Sequence, residues 1–205
     1  GVAPREAAVF ALIHDGAVAY RIGVPGLHWA RNSLAVLLAV RALGGDCQVA
    51  ARALAGMTPP KGRGLRQLIK VGEGEAEIID ESYNASPVSM TAAIATLAAA
   101  RPAKGARRIA VLGDMLELGE AGPALHAGIA DAISRWDIDL VFACGPLMAT
   151  LAARLPADRL GALAADSEAL APLVKAAVRA GDVVMVKGSA GSRMSRVVKS
   201  LVEGG

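Results

Sequence analysis

The sequence predicts an α/β fold with a mostly parallel sheet, and three observations carry that expectation. From about residue 76 onward, short apolar runs alternate with helical patterns, the signature of βαβ units. Hydrophobic residues make up 54% of the 205 residues and aromatics only 3%, so the core has to be built of Ala, Val, Leu and Ile. Such residues suit close packing of helices on a parallel sheet. Polar residues gather where strands should hand over to helices, above all at Asp80-Glu81-Ser82-Tyr83-Asn84-Ala85-Ser86-Pro87. A core has no use for that much polarity, whereas open α/β sheets bind ligands just beyond the carboxyl ends of their strands.

Taken in order, residues 7–22 read as a hairpin turning at Asp15-Gly16, a strong turn signal between apolar runs. A helix is expected from about Asn32 to Leu43, stopped by Gly44-Gly45, and a second from about Asp46 to Leu54. Pro59-Pro60-Lys61-Gly62-Arg63-Gly64 is a basic loop rich in Gly and Pro. Strands are expected at Leu65–Val71 and Ala76–Ile79, joined by Gly72-Glu73-Gly74. Helix 87–100 follows, with Ser86 as its cap and Pro87 as its first residue. Strand 108–112 then precedes helix 121–135, strand 140–143 helix 146–154, a weak strand 160–164 helix 167–180, and strand 183–186 helix 191–202. Right-handed crossovers would place helices on both faces. The domain boundary is placed between residues 78 and 79. Residues 1–78 form an incomplete first part with open sheet edges, and residues 79–205 a complete α/β domain.

The net charge of +3 is mild, and no stripe of basic and aromatic residues runs along the chain, so no nucleic-acid partner is expected. The apolar run Leu34–Val40 is far shorter than the roughly 20 residues a bilayer span needs. No basic, then apolar, leader opens the chain. Membrane insertion is therefore not expected, and a cytoplasmic location is. Cys47 and Cys144, far apart in apolar settings, read as free thiols of a reducing compartment. No metal-ligand spacing occurs, and His14, His28 and His126 are isolated. The start at Gly1 reads as a piece of a longer protein.

No G-x-x-x-x-G-K-[ST] loop, dinucleotide fingerprint or G-x-S-x-G elbow is present. In Gly26-Leu27-His28-Trp29-Ala30-Arg31-Asn32, an Asn amide could match an adenine edge, although on spacing alone a helix cap is the simpler reading. Arg63 could offer a planar fork to phosphate, or simply sit in a solvated loop. Asp80 could accept ribose hydroxyls or form an Asx turn. His126 lies on a helix beside Leu125, Ile129 and Ile133, where a structural role is commoner, but it closely follows the polar loop 113–119. Lys187 ends the apolar strand Val183-Val184-Met185-Val186, where it either snorkels or faces an anionic ligand; the second reading is preferred. Asp166-Ser167 and Gly145 read as a cap and a turn.

Several separated segments together resemble one family. They are Gly26-x-His28-x-x-x-Asn32, Lys61-Gly62-Arg63, Ile79 to Pro87 with Ser89-Met90, Val111-Leu112-Gly113-Asp114-Met115-Leu116-Glu117-Leu118-Gly119 with His126 after it, and Val186-Lys187-Gly188-Ser189 with Arg193-Met194. From about Gly26 onward the chain resembles the Mur ligases, and within them the MurF type. The resemblance implies the end of a central ATP-binding domain followed by a Rossmann-like C-terminal domain. It implies a ligase of peptidoglycan synthesis that adds D-alanyl-D-alanine to UDP-N-acetylmuramoyl-tripeptide through an acyl phosphate. The cofactors would be ATP and Mg²⁺, bound mainly upstream of this chain. His28, Asn32, Arg63 and Asp80 would serve the nucleotide; Tyr83, Asn84, Asp114 and Lys187 would serve the substrate; Lys187 and His126 would be the candidates for catalysis. The family's phosphate loop, metal-binding residues and UDP-binding domain belong upstream of Gly1. The chain alone is thus expected to be inactive without that N-terminal portion, and the protein to be monomeric. Glu81 and Ala85-Ser86 stand where the family more often has a second aspartate and a second asparagine. The alternatives are a stand-alone Rossmann-like binding module without ligase activity, and an amide ligase of the folylpolyglutamate type.

Overall fold

The computed structural model describes residues 6–13, 16–24 and 26–203. Asp15, half of the expected Asp15-Gly16 turn, lies outside them, as does His14. The chain divides into two compact units, Gly1–Pro59 and Pro60–Gly205.

In the first unit, β1 (Ala7–Ile13) pairs antiparallel with β2 (Gly16–Ile22), Ala7 opposite Ile22. Helices α1 (Leu27–Ala42) and α2 (Cys47–Ala55) follow. Val9, Tyr20, Ile22, Leu37, Ala51 and Leu54 form the core. Helix α1 starts a turn earlier than its pattern suggests, because Gly26 occupies the cap position at φ 120°, a backbone turn that needs no capping side chain. Asn32 therefore lies within the helix and does not cap it. Helix α2 begins as expected, with Asp46 accepting from the N–H groups of Gln48 and Val49.

The second unit runs β3 (Leu65–Val71), β4 (Gly74–Glu81), α3 (Pro87–Ala98), β5 (Arg108–Gly113), α4 (Gly122–Arg135), β6 (Leu140–Cys144), α5 (Met148–Ala152), β7 (Leu160–Ala164), α6 (Ser167–Ala177), β8 (Val183–Lys187) and α7 (Ser195–Val202). They build one sheet in the order β3-β4-β8-β5-β6-β7. All neighbours are parallel except β3 and β4, which pair antiparallel with Val71 opposite Gly74. Such a short connection allows only an antiparallel pair. The division after Pro59 corrects the boundary expected at 78/79: β4 is held by β8, and the tight hairpin brings β3 into the same sheet.

Successive residues of the central strands face opposite layers. Ile79, Leu112 and Met185 pack under α3, α4 and α5, while Ile78, Val111, Val184 and Val186 pack under α6 and α7. Burial on both faces is why these strands read as unbroken apolar runs. Helix α3 starts as expected: Ser86 and Ser89 each take the other's backbone N–H, and Pro87 follows. The last helix is shorter than its pattern, because residues 190–192 form a tight turn and Arg193 takes a left-handed φ of 52° before α7 begins.

Candidate functional site

The strand ladder brings three strand ends together: Glu81 of β4 and Leu112 of β5 both lie beside Lys187 of β8. The Asp80 carboxylate is only 6% exposed. One of its oxygens accepts the Gly62 N–H at 3.0 Å; the other accepts the Ser82 N–H at 3.0 Å and the Ser82 hydroxyl at 2.6 Å. Asp80 is thus an Asx-type clamp that fastens the loop 60–64 to the strand end. Of the two readings the sequence offers for Asp80, the Asx turn is the one its contacts build, with three of the chain's own donors on the carboxylate. Gly62 sits at φ 76°, and a Cβ there would approach the Tyr83 nitrogen to 2.8 Å, so the loop needs glycine at this point. Held this way, Arg63 places its guanidinium 4.1 Å from the centroid of the Tyr83 ring. Both side chains remain open to solvent, with Tyr83 54% exposed.

Lys187 is buried, and its Nζ donates to the Asn84 carbonyl at 2.9 Å. The Glu81 carboxylate stands 3.7 Å away. Burial pushes the Glu81 carboxyl above its ordinary range, with Lys187 opposing and Asp80 adding to the rise. Burial likewise lowers the Lys187 ammonium, with Glu81 opposing and Arg63 reinforcing. The Asn84 side chain accepts the N–H of Ala85 at 2.8 Å.

Asp114 and His126 both bind backbone. The buried Asp114 carboxylate accepts the N–H of Met148 at 2.9 Å and lies 3.4 Å from that of Leu147, so it fixes the loop after β6. His126 is fully buried; Nε2 accepts the Met115 N–H at 2.8 Å, and Nδ1 donates to the Gly122 carbonyl at 2.7 Å. Both nitrogens are committed to backbone groups, the arrangement of a framework residue. Asp114 likewise holds backbone.

Two residues outside the sequence-read set contribute. Glu81 supplies the counter-charge to Lys187. Ser189 ties three loops together: its N–H bonds the Asp114 carbonyl at 3.0 Å, its Oγ accepts from Leu116 at 2.9 Å and reaches the Ala85 carbonyl at 3.4 Å. Each directly follows or neighbours a residue already singled out at a strand end, which was the available signal.

In the first unit, His28 and Asn32 lie one helical turn apart on α1, though the His28 side chain lies outside the described set. Asn32 borders an apolar pocket of about 100 Å³ lined by Ile22, Val24, Trp29, Leu54 and Met57. Among the described residues no three His, Cys, Asp or Glu side chains converge, so these residues do not fit a metal ion.

A mostly parallel sheet flanked by helices, with a charged cluster at its carboxyl edge, is a Rossmann-like architecture. Residues 66–190 match the family model "Mur ligase, glutamate ligase domain", and the chain belongs to the Mur ligase family. It is 35% identical over 187 residues to the UDP-N-acetylmuramoyl-tripeptide--D-alanyl-D-alanine ligase of Bacillus subtilis, covering 89% of the chain and 39% of that protein. The ligase of the same name from Mycobacterium tuberculosis is 33% identical over 208 residues, covering 92% and 40%. Among solved structures, MurF of Acinetobacter baumannii superposes with a TM-score of 0.78 at 22% identity, covering 97% of this chain and 42% of that one. MurF of Thermotoga maritima in complex with ADP gives 0.70 at 23%, covering 97% and 46%. These structures share the fold. The chain spans about two fifths of the length of the curated relatives it matches.

Proposed function

We propose that this chain is the C-terminal portion of an ATP-dependent ligase that joins D-alanyl-D-alanine to UDP-N-acetylmuramoyl-tripeptide. The observation that carries the reading is the cluster of Arg63, Tyr83, Glu81 and Lys187 at the carboxyl edge of the sheet, in a chain whose curated relatives bear that name. Arg63, planar, exposed and braced by Tyr83, suits a phosphate. The buried Lys187 suits the anionic end of the acceptor. The apolar pocket beside Asn32 suits a flat base with one amide at its edge. When bound, ATP activates the tripeptide carboxylate by phosphorylation; Mg²⁺ would be held outside the described residues. Asp80, Asp114 and His126 contribute by holding the loops that carry the binding groups.

Residues 1–59 would be the end of the ATP-binding domain, completed by an upstream portion of the same protein. Exposed apolar side chains on this unit, Phe10, Leu38, Leu43 and Val49, support a further covering element. The ligase would act as a cytoplasmic monomer; no described helix is long and apolar enough to cross a membrane.

The test is ADP release by the longer protein with the UDP-linked tripeptide, offered D-alanyl-D-alanine or glutamate. Ligation of the dipeptide, weakened by Arg63→Ala and Lys187→Ala, is expected. Preference for glutamate would favour the folylpolyglutamate type. Ligation by the 205-residue chain alone would refute the division of labour proposed here.

A further inference from the structure

An ammonium carries three donors. In Lys187 one of them reaches the Asn84 carbonyl, at 2.9 Å. The Glu81 oxygen at 3.7 Å lies beyond hydrogen-bond length, so it acts on Lys187 through charge and leaves donors open. With Lys187 only 3% exposed, water cannot serve them freely. The charged groups around the pair are Arg63, which repels Lys187 from the loop side, and Asp80, whose oxygens are already taken by Gly62 and Ser82. Glu81 is therefore the carboxylate left to hold the ammonium. Room for it is made by Gly64, where a Cβ would come within 3.3 Å of Glu81 Oε1.

We propose that Glu81 is a positioning residue: it keeps the buried Lys187 ammonium charged and turned toward the loop after β4, where Lys187 receives the free carboxylate of the incoming dipeptide. The second half of this inference rests on the ligase reading above. Without Glu81, Arg63 and burial both favour the neutral amine. A neutral amine attracts a carboxylate no better than it attracts an amide. Carboxylate recognition at this site would thus depend on an acid that does not itself touch the ligand.

The test is NMR titration of the chain labelled with ¹³Cε-lysine, with the Lys187 signal assigned by its loss in Lys187→Arg. Glu81→Gln should move the Lys187 midpoint to lower pH. Glu81→Asp, which draws the carboxylate back by one methylene, should move it less in the same direction and keeps the test readable if the Gln variant folds poorly. In parallel, wild type should bind D-alanyl-D-alanine about tenfold more tightly than its C-terminal amide, a single charge-assisted bond's worth of preference. Glu81→Gln should lose that preference at a lower pH than wild type does and regain it in more acidic buffer. An unchanged Lys187 titration in both Glu81 variants overturns the inference, whether or not the dipeptide binds. A titration that moves while the longer wild-type protein shows no dipeptide binding refutes the ligase reading and leaves Glu81's hold on Lys187 standing.

Discussion

His126→Ala separates a framework residue from a catalytic one. The ring is fully buried, and its removal leaves the Met115 N–H without an acceptor. An orphaned buried amide costs about 1–3 kcal/mol. The cavity left by the ring adds about 2 kcal/mol, at the low end for large-to-small core changes. The Gly122 carbonyl adds little, because it keeps its own helical bond within α4. The expected loss is therefore roughly 3–5 kcal/mol, or about 6–20 °C in Tm for a domain of this size. Urea and thermal unfolding followed by circular dichroism would measure it. His126→Gln, which can place an acceptor near the Met115 N–H, should recover about half of the loss. An Ala variant within about 1 kcal/mol of wild type would refute the assignment. So would a Gln variant of the longer protein that is fully stable yet, if wild type ligates as proposed, catalytically dead.

Three further outcomes follow from the same geometry. Cys144 is buried and its thiol is pushed up to about 12, so it should resist iodoacetamide at pH 8 in the native chain and react once urea unfolds it. Asp80→Ala should release the loop at Gly62, and trypsin should cut after Lys61 or Arg63 several-fold faster than in wild type. Stability should depend on the Glu81–Lys187 pair. Lys187, lowered from 10.5, contributes fully only above that pH, and its contribution is lost as pH falls through its folded value. Glu81, raised from 4.5, contributes fully only below that pH, and its contribution is lost as pH rises through its folded value. Near neutrality both oppose the fold, so the double variant Glu81→Gln, Lys187→Met should be as stable as wild type or more so, with a flatter pH profile. A loss above about 2 kcal/mol in urea melts at pH 7 would contradict this.

What could be read beforehand was local. The Ser86–Pro87 helix start lies within four residues of its own partners, and the apolar runs of β4, β5 and β8 announce burial on both faces. The parallel order and the ring of polar strand ends came from the same alternation. What could not be read was pairing across distance. The short link to β4 ties β3 to its partner, but nothing near it shows that β4 is held by β8, more than a hundred residues later. For His126 the sequence leaves a structural and a catalytic role open, and for Asp114 it offers only the resemblance; only the fold reveals the amides of Met115 and Met148 that bond to them. Asn32 looked like a cap because the φ of Gly26 leaves no trace in a hydrophobic pattern.

The sheet order has a consequence for how this protein is made. Strand β8, the last among the described residues, lies between β4 and β5. Until it leaves the ribosome those two strands have no shared neighbour, and each presents an unpaired edge. At ordinary rates of synthesis that interval, from the end of β5 to the end of β8, lasts roughly ten seconds, during which either edge can recruit another chain. Closure then needs pairings between residues far apart in sequence, which makes folding slow as well as late. A stop codon before Val183 would leave two half-sheets and a natural client for chaperones and proteases, not a trimmed domain.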